Sequence, residues 1–378
     1  MMHELVNVSL YNKLKDIQNP EISIIVDGCP LNLVQDLLFS VDVKLTCGFE
    51  ASSCILTIVD KNAKLQNLKV EHNKLLDTMK IGGKVIIGLG YGKDIKPVFI
   101  GALVDLDCEV KPVGGSSNCL VVYTVICMDV KYMMMHGRKT ENYLDKSMGM
   151  WTTVVQEFGS KYSKWGVFMP PMPPATVLQK NITQDNESDY EFVVRNAKKQ
   201  GYLFYVCQAV VYLKSYSILS SAQTPMLVVD LSSNMLISQK HHLTLESQIS
   251  EQIYKIVPLN TPGKMSEVKE RVSPRFGRDS NIMNLSTVLG TRSTDVYIDY
   301  NSGLSGAASG AKAAKWWKAL DSISGELKMY GMHTVFPGAF MQLNGADKNR
   351  SGTYLIRDVE HVFDKNGFYT TIKYCATS

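Results

Sequence analysis

The run Ser188-Asp189-Tyr190-Glu191-Phe192, continuing through Val193-Val194-Arg195-Asn196-Ala197-Lys198-Lys199-Gln200 to Gly201-Tyr202-Leu203-Phe204, constrains the fold more than any other stretch of this chain. It encodes a short helix marked at both ends and followed at once by a strand. Ser188 can accept a hydrogen bond from the first turn while Glu191 reaches back to the cap residue, the reciprocal pairing of a capping box. Tyr190, Val193, Val194 and Ala197 fall at helical spacing on one face. Gly201 stands where a left-handed C-terminal cap is required. Strands are expected on both sides of this unit, and the company it keeps decides the fold class.

From Ile22 onward the pattern is β. Ile22-Ser23-Ile24-Ile25-Val26 leads into the turn Asp27-Gly28, Val41-Asp42-Val43-Lys44-Leu45 alternates as a half-buried strand should, and Cys54-Ile55-Leu56-Thr57-Ile58-Val59 is a continuous apolar run. The segments 84–90 and 98–104 flank a glycine-rich polar loop, a hairpin signature, and 119–130 supplies a further strand. Turn-rich connections without long helices argue for a barrel or sandwich over a parallel α/β sheet. Residues 1–18 have weak helical character and read as an arm.

A helix is expected over 147–161, with Met150, Val154, Val155 and Phe158 on one face, then the stiff Pro170-Pro171-Met172-Pro173-Pro174 loop. After the capped helix, strands are expected at 202–206 and 210–216. The stretch 255–292 reads as polar and irregular, 302–310 as flexible, and 311–327 as a helix carrying Trp316 and Trp317. The chain returns to β through Thr334-Val335-Phe336-Pro337-Gly338. It closes with a hairpin on Asp364-Lys365-Asn366-Gly367, where Asn-Gly supplies the positive φ angles.

With 378 residues, two to four structural units are expected. Lys+Arg 40 against Asp+Glu 36 gives a net charge of +4, too small to indicate nucleic acid, and no basic run is interleaved with aromatics. Met1-Met2-His3-Glu4-Leu5 has no basic segment leading into an apolar core, so no signal peptide is expected, and no apolar run is long enough for a membrane anchor. The eight cysteines form no CxxC pair and read as reduced, buried small hydrophobes of a protein made in a cytoplasm.

Catalytic chemistry finds no support in the sequence. Gly88-Leu89-Gly90-Tyr91-Gly92-Lys93 lacks the first Walker glycine and the Ser/Thr after lysine, and joins two strands. His241 and His242 are adjacent and point to opposite strand faces, which spoils joint metal ligation. His361 reads as a hydrogen-bonded structural side chain, and Asp105 and Asp107 as one solvated or channel-lining face. No zinc-protease, nucleophile-elbow or papain-like pattern occurs, so neither a catalytic set, nor a metal, nor a cofactor is expected. Trp316 and Trp317 cannot both face one core. One is a candidate subunit contact, the alternative being a helix sandwiched between layers of its own subunit.

Three sites together resemble the late control protein D family of tailed phages, with the hub half of VgrG spike proteins and the T4-type baseplate hub. Ile81-Gly82-Gly83-Lys84-Val85-Ile86 with Phe99-Ile100-Gly101-Ala102-Leu103-Val104 is similar to a first-barrel hairpin of that family, with Gly101 permitting a close backbone approach. Ser188, Tyr190, Glu191, Phe192 and Gly201 fall in its helix–strand motif. Pro337 and Gly338, with Gly352, Tyr354, Val359, Glu360 and His361, fall in its second-barrel motif. The resemblance implies a mainly β fold with an α+β insert, hub-type: two related β-barrel domains plus a small α/β domain. The expected division is 1–136 (arm and first barrel), 137–205 (α/β insert), 206–254 (start of the second barrel), 255–327 (insertion) and 328–378 (remainder of the second barrel).

The resemblance further implies a non-enzymatic structural protein of a phage tail or contractile injection particle, located in the virion tail tip or baseplate and assembled in the bacterial cytoplasm. It would form a homotrimer, a ring adapting a sixfold tail tube protein above to a threefold spike below, among other baseplate proteins, with no direct nucleic-acid binding. Because the sequence stops just past the final hairpin, the trimeric spike is expected to be a separate polypeptide. The rival is a cell-wall-active β-rich tail protein, either a peptidoglycan hydrolase or a glycan-binding module.

Overall fold

The computed structural model describes residues 6–7, 19–31, 38–61, 79–112, 119–143, 149–175, 179, 181–215, 218–219, 224–244, 251–256, 266–271, 293–299, 320, 323–345 and 351–376. Trp316, Trp317 and the segment 302–310 lie outside these residues.

The arm contributes β1 (Val6–Asn7). The first β unit follows with β2 (Pro20–Val26), its short appendage β3 (Cys29–Pro30), β4 (Leu38–Thr46), β5 (Ser53–Lys61), β6 (Lys84–Tyr91), β7 (Asp94–Pro112) and β8 (Cys119–Met128). Its six main strands lie in the order β4-β5-β8-β7-β6-β2, each pair antiparallel. The β6–β7 hairpin closes at Tyr91↔Asp94, so the Gly-rich segment is a strand-to-strand turn with no helix behind it to bind phosphate.

The insert comprises α1 (Val130–Met134), β9 (Arg138–Asn142), α2 (Trp151–Tyr162), β10 (Thr183–Ser188), α3 (Asp189–Gln200), β11 (Tyr202–Cys207) and β12 (Val210–Ser215). The strand expected to reach Val130 ends at Met128, because Asp129 caps α1 there. Ser188 and Glu191 complete the capping box on α3, and Gly201 ends the helix at φ 70°. The buried face of α3 is rotated from the expected stripe: Phe192, Val193, Asn196, Ala197 and Gln200 are buried, while Tyr190 and Val194 are only partly so.

The second β unit consists of β13 (Leu227–Asp230) and β14 (Leu236–Leu243), followed, after β15 (Glu251–Ile256), β16 (Ser266–Arg271) and β17 (Ser293–Asp299), by β18 (Ile323–Tyr330), β19 (Phe340–Asn344), β20 (Gly352–Asp364) and β21 (Gly367–Ala376). Strands β15, β16 and β17 form a sheet of their own, so part of the 255–292 stretch expected to be irregular is strand. The helix expected over 311–327 is overturned in its last part. Residues 323–330 alternate with period two, burying Leu327 and Met329 and exposing Lys328, and are paired on both edges by β14 and β21. The arm likewise forms a strand where it is described: Val6–Asn7 runs parallel to β13.

Numbered by position within each unit, the first unit's six strands are β2, β4, β5, β6, β7 and β8, and the second unit's are β13, β14, β18, β19, β20 and β21. Both units then have the order 2-3-6-5-4-1. The registers coincide as well. Strand five bulges against strand six between Leu103 and Asp105 in the first unit and between Ile356 and Asp358 in the second. Strand two bulges between Leu38 and Ser40, and between Leu236 and Ser238. Gly82 N donates to Leu103 O at 2.7 Å and Leu103 N to Gly83 O at 2.9 Å; Gly338 N and Ile356 N make the matching bonds to Ile356 O and Ala339 O, both at 2.8 Å. Gly82 and Gly338 share a left-handed backbone, φ 85° and 78°, which only glycine adopts without strain. One difference breaks the duplication: strand one runs antiparallel to strand four in the first unit and parallel in the second.

Both units share one apolar core, running from Ile24, Val43 and Ile58 to Leu327, Met341 and Ile372. The insert has its own core around Trp151, Phe158, Phe192 and Phe204. β11 is the wall between them: Tyr202, Phe204 and Val206 face the insert core, and Leu203, Tyr205 and Cys207 the β core. That is why all six of its residues are buried, and why it reads as a continuous apolar run where a half-solvated strand would alternate.

Candidate assembly interface

The two β units are fused strand to strand. β20 is long enough to have two partners on one edge: 352–355 pair with β19, and 358–364 pair antiparallel with β4 of the first unit, from Asp358↔Thr46 to Asp364↔Ser40. Val359 and His361 are buried at this joint. On the opposite face Lys44 lies 3.4 Å from both Asp42 and Glu360. Burial pushes the Asp42 carboxyl up, and Asp42 in turn raises the Lys44 ammonium. His361 Nδ1 shares a hydrogen bond with Thr370 Oγ1 at 3.0 Å, and complete burial pushes its imidazole down to about 3, so it is neutral.

The motif residues singled out in the sequence sit at seams. Tyr190 donates its hydroxyl hydrogen to Phe49 O, tying α3 to the first unit, and Lys198 lies over the Phe49 ring at 4.8 Å. Gly338 packs on Tyr205 so closely that an added Cβ would collide with the ring, and its carbonyl accepts from Lys214 Nζ at 3.1 Å, tying the second unit to the insert. Gly101 lies against the backbone of Met128, where a Cβ would again collide. The adjoining cavity, lined by Gly101, Met128, Trp165, Val206 and Ala209 among others, has a volume of about 10 Å³, the room of one water molecule and too small for a substrate. Phe192 is core of the insert, Pro337 opens the turn before β19, and Tyr354 packs against His241 and Tyr374. Nothing in the structure explains a glycine at Gly352, which has open space around its Cα.

One seam was not legible in the sequence. Asp129 accepts from Ser52 N and from Lys131 N, both at 2.9 Å, while the fully buried Lys131 donates to Gly48 O at 3.2 Å. Burial pushes the Asp129 carboxyl up and the Lys131 ammonium down. A buried pair of this kind fixes where two parts meet more than it adds stability.

Two edges complete the site. The pairing of β7 with β6 ends at Lys84↔Ala102, so beyond that point β7 has only β8 beside it. β14 has only β18. Among the described residues no strand covers either opposite edge. Both carry exposed apolar side chains, Val110 at 55% and Ile237 at 45%. Asp105 and Asp107 lie on the β7 edge strand, and Leu106, between them, faces the core. β7, with 19 residues, is far longer than its hairpin partner β6, with 8, and its second half pairs with β8. Among the described residues no group of three or more His, Cys, Asp or Glu could hold a metal, and no helix is long and apolar enough to cross a membrane.

This mostly β fold matches the folds of phage tail and baseplate-hub proteins. The chain is similar to the tail protein of Neisseria meningitidis MC58 (TM-score 0.66, 11% identity, 94% of this chain and 96% of that one). It is similar also to the 43 kDa tail protein of prophage MuSo2 from Shewanella oneidensis (TM-score 0.63, 12% identity, 94% and 98%). A third is the E. coli c3393 protein, a component of the type VI secretion system with structural similarity to T4 tail proteins gp27 and gp5 (TM-score 0.52, 10% identity, 94% and 77%). At these identities the likeness is one of fold. The family model described as "Alg8 N-terminal domain" matches residues 17–365, and the chain belongs to that family. No curated protein matches its sequence. The likeness to tail proteins expected from the motifs is present at the level of fold, while the matching family carries a different description from late control protein D.

Proposed function

We propose that this chain is a structural hub of a phage tail or phage-tail-like injection particle, of the late control protein D type, and that it acts as a ring of three copies. Each copy presents two β units of one design, so three copies present six similar surfaces to a sixfold tail tube protein on one side. True threefold symmetry on the other side receives a separate trimeric spike, with other baseplate proteins around it. No bond is made or broken, and no nucleic acid or cofactor is bound. The work is symmetry adaptation at interfaces.

The observation that carries this reading is the shared 2-3-6-5-4-1 order with coincident registers. A chain that must meet a sixfold partner with three copies needs two equivalent units, and a catalyst does not. Light scattering on the purified chain, with negative-stain class averages, tests it. Three times the chain mass and a ring with an open centre are expected. A single-chain mass at every concentration, with no ring in the presence of a tail tube protein, overturns it.

A further inference from the structure

The joint inside the chain predicts the joint between chains. Strand five of the second unit ends by pairing with strand two of the first, β20 on β4. Strand five of the first unit, β7, and strand two of the second, β14, hold the same positions and, among the described residues, lack that partner. We infer that the 105–111 edge of β7 pairs antiparallel with β14 of a second copy of this chain, head to tail, in the register of the β20–β4 joint. The inference rests on the ring reading above and adds to it the surface, the partner and the residue pairs. A head-to-tail contact of this kind uses two different surfaces of the same chain and closes into a ring when its rotation permits. It also covers both open edges, which would otherwise invite misassembly.

The duplication fixes the register. The bulges and shared hydrogen bonds make Leu355 the counterpart of Ala102 and Asp358 that of Asp105 on strand five. On strand two, Ser40 is the counterpart of Ser238. The internal pairs Glu360↔Lys44, His361↔Val43 and Val362↔Asp42 then become Asp107 opposite His242, Cys108 opposite His241 and Glu109 opposite Lys240. Register alone brings these residues opposite one another, yet two of the three pairs join an acid to a base. Asp107–His242 stands where Glu360 meets Lys44 in the internal joint at 3.4 Å. Among the described residues, Glu109 and Lys240 pair with neighbours of their own sheet, Lys111 at 2.9 Å and Glu326 at 3.6 Å. Such exposed pairs are weak and easily exchanged.

The test uses the full chain. Glu109→Lys and Lys240→Glu should each weaken ring formation by about tenfold, and the double exchange should restore it, because opposed like charges disfavour a strand pair and unlike charges favour it. Independently, Asp107→Cys with His242→Cys, in a Cys29→Ser, Cys108→Ser background, should give covalent trimers on mild oxidation, since directly opposed strand positions lie within disulfide reach. Rings that form normally in both single charge variants, with no cross-link in the cysteine variant, overturn the strand-edge inference and leave the ring reading standing. A wild-type chain that stays single at every concentration, with no cross-link in the cysteine variant, overturns both.

Discussion

Strand five of the first β unit and strand five of the second occupy the same place in the same strand order, and they end differently. In β20 the final stretch is covered by β4 and buries Val359 and His361; in β7 the matching stretch is uncovered, and Val110 stands 55% exposed. The side chains track that difference. The β7 end alternates the charged Asp105, Asp107, Glu109 and Lys111 with Leu106, Cys108 and Val110. The β20 end has a histidine at the place of Cys108, held neutral by its burial at the β4 joint. One design thus ends in a strand joint in the second unit and, among the described residues, in an uncovered edge in the first.

Matched substitutions should affect the two units unequally. The largest contrast is expected at the paired glycines. Gly338→Ala should cost about 3 kcal/mol, from left-handed strain plus the collision with Tyr205, whereas Gly82→Ala, with open space around it, should cost about 1 kcal/mol. Denaturant melts of the two variants measure the difference, and equal costs would mean that the second unit does not bear on β11. Next, Val359→Ala should destabilise the isolated chain by about 2 kcal/mol, while its counterpart Leu106→Ala, only partly buried, should cost about 1 kcal/mol and instead weaken the ring.

Acid should act on the seam. His361 has a folded value of about 3 against an ordinary 6.5, so the stability it protects is fully present above pH 6.5. It is lost as pH falls toward 3, at up to about 1.4 kcal/mol per pH unit. His361→Gln should flatten that part of the stability–pH curve, read by melting midpoints between pH 7 and pH 4.5. The smallest effect is expected from Lys44→Ala. Its two carboxylate partners lie on a half-exposed face, and the loss should be about 0.5 kcal/mol, vanishing in high salt.

What the sequence disclosed was local. The capping box at Ser188 and Glu191, the αL glycine at Gly201 and the turns at Gly92 and Asn366 depend on residues a few positions apart, and short-range chemistry is enough to read them, although of the Asn366-Gly367 pair only Gly367 takes a positive φ. The helix expected up to Leu327 failed for the opposite reason: partners at 236–243 and 369–375 impose period two on a segment whose own pattern is weak. The β20–β4 joint links Glu360 to Lys44, and no spacing rule reaches that far. The double-sided burial of β11 was visible as an apolar run, but its cause is a second core packed behind it. The duplication itself lay in registers and bulges, which leave almost no mark on residue identity: Gly82 and Gly338 match, whereas Cys108 and His361 do not.

Hydrogen exchange on the assembled and dissociated chain, followed amide by amide, separates the seam from the edges. Amides of 358–364 and 40–46 should be protected in both states. On the matching strands, amides of 105–111 and 238–243 pointing to the open edges should gain protection only on assembly. A ring in which those edge amides exchange as fast as in the single chain would contradict this, because the copies would then be meeting through some other surface.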